Sequence, residues 1–101
     1  MASRISLQKT LEKILGTRNV YYNPPEDLVL DYPCIIYHLD DVERRSADNI
    51  GYMIKKRYQL LLISRLPDHP AIDALIQEKW CSFDRSYRAD NLEHYVMTIY
   101  W

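Results

Sequence analysis

Apolar positions near the start of the chain follow helical spacing. Between residues 3 and 15 they recur every three or four positions, which predicts an amphipathic helix with a single apolar stripe. The stripe consists of Leu7, Leu11, Ile14 and Leu15. Gly16 follows at the place where a helix C-terminus favours left-handed backbone.

The next segment changes to extended and then irregular sequence. Val20–Tyr22 predict a short strand, which ends at Asn23 because two prolines follow and proline cannot donate to a strand ladder. Residues 23–33 are then irregular, with residues 28–30 (Leu-Val-Leu) as a candidate edge strand.

The middle of the chain predicts one long β-hairpin. Residues 34–46 begin apolar and turn polar, whereas residues 52–64 begin polar and end apolar. Antiparallel pairing therefore matches the two apolar halves and places Asp41 and Glu43 opposite Lys55, Lys56 and Arg57. The polar half has little to bury within one subunit, so we expect a β-arm that projects from the body.

The last third predicts a helix and a second hairpin. The helix spans residues 69–79, with Asp68 as its N-cap and Pro70 in its first turn. Alternating residues from 83 to 88 and the apolar run 92–101 predict two strands. The turn between them contains Asp90 and Asn91, and residues 45–50 repeat this Ala-Asp-Asn sequence at the first hairpin's turn.

These elements define the fold class. Their order is α-β-β-β-α-β-β, which predicts an α+β fold with an antiparallel or mixed sheet of four to five strands. We expect both helices on one face of the sheet and one projecting hairpin. The 101 residues fit a single domain covering 1–101.

Charge and aromatic content favour protein contacts. The formal net charge is -1, and no basic stripe of the kind that duplex binding needs is evident. One local basic patch is predicted on the first hairpin, formed by Arg44, Arg45, Lys55, Lys56 and Arg57. Nine tyrosines accompany a single phenylalanine, and tyrosine and arginine are enriched at interfaces. Strand propensity explains tyrosine equally well at any one position.

The chain lacks the usual signatures of catalysis. Two cysteines, Cys34 and Cys81, lack metal-site spacing and are expected to be reduced and buried, as suits a reducing cytoplasm. Two glycines are too few for a phosphate-binding loop. A Cys81–His94 nucleophile–base pair is a minor alternative. We expect no enzyme activity, no metal, no cofactor, no signal peptide and no membrane span.

Five short motifs stand out in the sequence: YPCIIY at 32–37, RSADNIGY at 45–52, KRY at 56–58, WCSFDRSY at 80–87 and ADNLEH at 89–94. Together they resemble a family of small tail-region proteins from long-tailed phages and prophages of Gram-positive bacteria. The similarity covers residues 20–101. One departure is His69, which stands between Asp68 and Pro70 where many relatives have a fuller acidic loop. Such proteins are often called minor capsid or tail proteins, and their element order is similar to tail terminators and head–tail joining proteins.

This resemblance implies a structural protein of the virion. It implies a homo-hexameric ring that caps the tail tube, stops its polymerisation and meets the neck or connector, with DNA only passing through the lumen. On the resemblance, the chain is made in the host cytoplasm and resides in the tail or neck of the virion. Two alternatives are a head-completion or connector-adaptor protein and, from another class, a small nucleic-acid-binding domain that uses the basic hairpin.

The first hairpin is the predicted place of contact with these partners. Polar contacts are expected from Arg44, Arg45, Asp48, Asn49, Lys55 and Arg57, and aromatic anchors from Tyr52 and Tyr58.

Overall fold

The elements follow one another in the predicted order. The computed structural model describes residues 4–47, 51–78 and 80–101, with side chains for all of these except 43–47 and 51–54. Its elements are α1 (Arg4–Leu15), β1 (Val20–Tyr22), β2 (Cys34–Ala47), β3 (Gly51–Ser64), α2 (Pro70–Gln77), β4 (Cys81–Ala89) and β5 (Leu92–Tyr100). The predicted α+β class is confirmed.

The strands form one mixed sheet in the order β1-β2-β3-β5-β4. Both predicted hairpins, β2–β3 and β4–β5, pair antiparallel, and β3 pairs antiparallel with β5. β1 runs parallel to β2, with Val20 opposite Ile35 and Tyr22 opposite Tyr37. The last strand of the chain therefore lies inside the sheet, where it joins the two hairpins.

The core lies between one face of the sheet and the two helices. Alternate residues of three adjacent strands supply the sheet side, because successive side chains of a strand point to opposite faces. Buried members of the core include Ile35, Tyr37, Leu60, Leu62, Met97 and Ile99 from the strands and Leu7, Leu11, Leu15, Ala71 and Leu75 from the helices. Full burial of each leucine contributes about 1.5–3 kcal/mol relative to exposure.

A polar network fixes α1 to the sheet. The Tyr37 hydroxyl donates to Gln8 Oε1 at 2.5 Å, and Gln8 Nε2 donates to the carbonyl oxygen of Val20 at 2.8 Å. Arg4 donates to the Tyr37 hydroxyl at 3.3 Å and stacks over the Tyr22 ring at 4.5 Å. One helix is thus hydrogen-bonded to both β1 and β2.

Two predicted chain reversals have the expected backbone. Gly16 has φ 83 and its N–H donates to the carbonyl oxygen of Glu12 at 2.9 Å, which closes α1 in the left-handed conformation. Asp90 and Asn91 have φ 52 and 61 and form a two-residue turn between β4 and β5. The matching turn of the first hairpin includes residues 48–50, which lie outside the described residues.

Two local predictions are wrong. The segment 28–30 forms no strand, because the extended pairing beside β2 is taken by β1. The N-cap of α2 is His69 rather than Asp68, since the helix begins at Pro70 and His69 Nδ1 accepts from the N–H of Ala71 at 3.1 Å. Asp68 lies one residue too early and has φ 55, and its N–H donates to the Tyr95 hydroxyl at 3.1 Å.

Candidate assembly surface: the hairpin arm

The outer part of the first hairpin extends beyond the rest of the sheet. β1 pairs only with Ile35–Tyr37, and the ladder with β5 ends where Arg57 faces Tyr100. The N–H of Trp101 then donates to the carbonyl oxygen of Lys56 at 2.9 Å. We call the described segments 42–47 and 51–56 the arm. Apart from the bond between Trp101 and Lys56, the strand residues of the arm pair with each other, and the molecule measures 52 × 27 × 22 Å.

The register of the arm agrees with the predicted charge pairing. Glu43 faces Lys55 and Asp41 faces Arg57 across the two strands. A shift of register lies between Leu39 and Asp41, so Asp40 is an extra residue at the base of the arm. A bulge of this kind bends the strand and increases its local twist. The bulge therefore marks the boundary between the packed sheet and the arm.

Arg57 is bound to acidic residues of its own chain. Its Nε lies 2.9 Å from Asp40 Oδ2, and its Nη2 lies 3.9 Å from Asp41 Oδ2. The pKa of Arg57 is raised, first by a hydrogen bond with Tyr100 and further by the charge of Asp40. Arg57 was predicted as a contact for a partner, and in the structure it forms ion pairs within its own chain at the base of the arm.

Lys55 and Trp80 form an exposed pair beside that base. The Lys55 ammonium lies 5.2 Å from the centre of the Trp80 ring, and 59% of Trp80 is exposed. Trp80 has φ 72, a left-handed conformation that costs a bulky residue about 1–3 kcal/mol. Its carbonyl oxygen accepts from the N–H of Tyr100 at 3.1 Å. A strained and exposed tryptophan beside a cation is typical of a contact site.

Trp80 is a candidate site residue that was not predicted from the sequence. Its position just before β4 gives no sign that it will lie next to β3, because that contact depends on the long-range pairing of β3 with β5. An aromatic residue inside one of the quoted motifs, WCSFDRSY, was the available signal.

Tyr58 belongs to the core and not to the surface of the arm. Only 3% of it is exposed, and its ring lies 6.0 Å from that of Tyr37 in an edge-on arrangement. Burial raises the pKa of the Tyr58 hydroxyl. Because the ring packs within the subunit, Tyr58 is removed from the candidate anchors. Tyr37 and Tyr95 are buried as well, so much of the tyrosine content belongs to the core.

The remaining predicted contacts lie along the arm itself. In the backbone register, Arg44 faces Ile54, Arg45 faces Met53 and Tyr52 faces Ser46. Asp48 and Asn49 lie outside the described residues. The arm thus brings two arginines and Tyr52 to neighbouring strand positions, and Lys55 to the junction with Trp80.

The alternative of a catalytic cysteine is contradicted by the strand register. Cys81 faces Ile99, and His94 lies five positions from Ile99 along β5. At about 3.3 Å per residue the two groups are roughly 17 Å apart. Burial raises the pKa of Cys34 and of Cys81 to about 11, so both thiols stay protonated at neutral pH. Among the side chains that the structure describes, no three His, Cys, Asp or Glu residues are grouped to hold a metal ion.

Comparison with other proteins adds no further assignment: no protein-family model and no curated protein sequence matches this chain. None of the helices in the described part of the chain is both long enough and apolar enough to cross a lipid bilayer.

Proposed function

We propose that this chain is a structural protein of a phage virion at the head–tail junction. In this proposal it forms a ring, a hexamer in the family it resembles, that ends the tail tube and joins it to the neck. Its partners are other copies of itself, the major tail tube protein and the neck or connector protein. The observation that carries the proposal is the two-stranded arm, which is joined to a well-packed sheet at one end only.

The arm is difficult to account for in an isolated subunit. Its strands belong to elements of 14 residues each, whereas strands in globular proteins are usually about 5–6 residues long. A two-stranded hairpin alone is marginally stable in water, since it has no face to bury. A partner that covers the arm removes this difficulty, and the proposal supplies such partners.

The proposal requires a contact between different surfaces of two copies. The arm continues the sheet at one end, and in the proposal it contacts another part of a neighbouring subunit. Such heterologous contacts build rings when the rotation between copies closes, and open filaments when it does not. A ring at the end of a tube stops the tube from growing.

The charges near the arm's base favour protein over DNA as the partner. Arg57 is paired with Asp40 and Asp41, and Lys55 lies over Trp80. A duplex-binding hairpin needs such cations for phosphates, since phosphate neutralisation dominates affinity for DNA. DNA is therefore proposed only as a molecule that passes through the ring.

The test is the length of tail tubes assembled in the presence of this protein. The purified chain is added to polymerising tube protein, its own size is measured by light scattering, and tube lengths are measured by electron microscopy. Tubes that stop growing, with a ring at one end, support the proposal. A chain that stays monomeric and leaves tube length unchanged overturns it.

A matched pair of variants makes this test specific for the arm. Arg44→Glu with Arg45→Glu reverses two charges in the arm and should abolish termination. Lys9→Glu with Lys13→Glu makes the same change of charge on the exposed side of α1 and should leave termination intact. Equal effects of the two pairs would contradict a role for the arm. Tight, salt-sensitive binding of duplex DNA with no effect on tubes would instead support the nucleic-acid alternative.

A further inference from the structure

An acidic segment lies between β1 and β2. We call residues 23–33 the strap; it carries Glu26, Asp27 and Asp31 and no basic residue, so its formal charge is 0 - 3 = -3. The chain is exposed without interruption from Pro25 to Val29. Val29 is 86% exposed and Leu28 is 39% exposed, which places apolar surface between the acids. The strap therefore exposes acidic and apolar side chains next to one another.

Both ends of the strap are attached to the sheet. The N–H of Asn23 donates to the carbonyl oxygen of Tyr37 at 3.1 Å, and Asn19 Nδ2 donates to the carbonyl oxygen of Pro33 at 3.3 Å. Arg65 lies over the Tyr32 ring at 5.8 Å. These contacts fix the two ends of the strap against the sheet, which limits the ordering cost of docking a partner there.

The arm has the opposite charge. Its segments 42–47 and 51–56 include the basic residues Arg44, Arg45, Lys55 and Lys56 and the acidic residue Glu43, so their formal charge is 4 - 1 = +3. Val42, at the start of the arm, is 42% exposed, and Leu39 just before it is 39% exposed. The arm and the strap are therefore complementary both in charge and in the apolar surface that each leaves uncovered.

The tip of the arm and the strap of the same chain lie apart along β2. The strap leaves the sheet beside Tyr37 and returns to it at Cys34. The strand β2 then runs away from the strap, and its last residue, Ala47, is ten positions beyond Tyr37. At about 3.3 Å per residue this separates the tip from the strap by roughly 33 Å. A strap that receives the tip of an arm must therefore belong to another copy.

We infer that the arm of one subunit docks on the strap of its neighbour, so that each copy contributes an arm to one contact and a strap to the next. The inference rests on the proposed function for the idea of a ring and adds the identity of the surface that receives the arm. Because the two surfaces differ, the contact repeats around a ring without change.

Charge reversal on each surface tests the inference without any tube protein. One variant combines Glu26→Lys, Asp27→Lys and Asp31→Lys in the strap. A second combines Arg44→Glu, Arg45→Glu and Lys55→Glu in the arm. The mass of each in solution is measured by analytical ultracentrifugation at low and high salt, and circular dichroism shows that each is folded.

The wild-type chain should form oligomers that weaken as salt rises, because exposed charges are screened. Each variant alone should sediment at the monomer mass of 12.1 kDa or show an affinity lowered by at least about tenfold. An equimolar mixture of the two variants should form oligomers again, since every arm then meets a strap of opposite charge. A chain that carries both sets of changes should also recover.

Two results would overturn the inference. One is an oligomer of the strap variant that is as large and as stable as that of the wild type. The other is the failure of the mixture and of the combined variant to recover. Failure of the proposed function has a different readout: oligomers that obey these charge rules while tail tubes grow without limit would overturn the proposed function and leave the inference intact.

Discussion

Strands β2 and β3 have two halves with opposite surroundings. In the root, which comprises residues 34–41 and 57–64, β3 pairs with β5 along its whole length, β2 pairs with β1 at residues 35–37, and helices cover the inner face. In the arm the same two strands continue without flanking strands. The buried core residues of these two strands lie in the root, so the root provides the packing that stabilises the fold. We attribute the arm to assembly with other subunits.

The largest expected difference between the halves concerns stability. Leu60 is completely buried in the root, so Leu60→Ala should lower the free energy of unfolding by about 2–5 kcal/mol. Val42 is 42% exposed in the arm, and Val42→Ala should change that free energy by less than about 0.5 kcal/mol. Urea unfolding of both variants measures this. Equal losses would mean that the arm is part of the folding core.

Alkaline pH tests how well the root excludes water. Burial raises the pKa of Cys34 to about 11 from an ordinary value of 9.0, so the folded chain holds this proton more tightly than the unfolded chain. The resulting stability is complete below pH 9 and is lost as the pH rises to 11, by about 2–3 kcal/mol. Urea unfolding at several pH values should show a steeper decline for the wild type than for Cys34→Ala. An equal decline in the free energy of unfolding for the two proteins would contradict the burial of Cys34 away from water.

A smaller loss of stability is expected for a variant at the contact between α1 and the root. Tyr37→Phe removes the hydroxyl that donates to Gln8 and leaves that half-buried acceptor without this donor. The expected loss is about 1 kcal/mol, since hydrogen bonds contribute about that much. Thermal unfolding measures it, and Gln8→Ala should reduce the additional effect of Tyr37→Phe because the two groups act together. Fully additive losses would contradict the coupling.

The smallest effect on stability is expected at the boundary between root and arm. Asp40→Asn weakens the ion pair with Arg57, whose two side chains are about a third exposed. Exposed ion pairs contribute little, so the variant should unfold closer to the wild type than Tyr37→Phe does. The remaining difference should shrink at high salt, because salt screens the pair. A difference that does not depend on salt would indicate that Asp40 acts through the bulge and not through its charge.

Local patterns in the sequence predict much of this fold. The reversed apolar and polar halves of residues 34–46 and 52–64 predict both the long hairpin and its projecting end. Antiparallel pairing places the two apolar halves opposite each other and leaves the two polar halves at the far end. The Asp90-Asn91 turn and Gly16 are predictable since each needs left-handed backbone that few residues adopt readily.

Long-range pairing is where the sequence prediction fails. A strand of three residues such as β1 has too little pattern to show that it runs parallel to β2, or that it displaces residues 28–30 from the edge. The contact of Lys55 with Trp80 depends on the insertion of β5 beside β3. Tyr58 illustrates the same limit, because strand alternation alone does not tell which face the helices cover.

The most direct test of the assembly role is removal of the arm. Joining Val42 to Lys56 through Asn-Gly, a pair that favours a tight hairpin turn, shortens the hairpin and leaves the root unchanged. We predict that the shortened chain unfolds within about 1 kcal/mol of the wild type, since the root provides the folding energy. It should also remain monomeric under conditions where the wild type forms rings, and it should no longer limit tube length. A shortened chain that still forms rings and stops tubes would contradict the central claim.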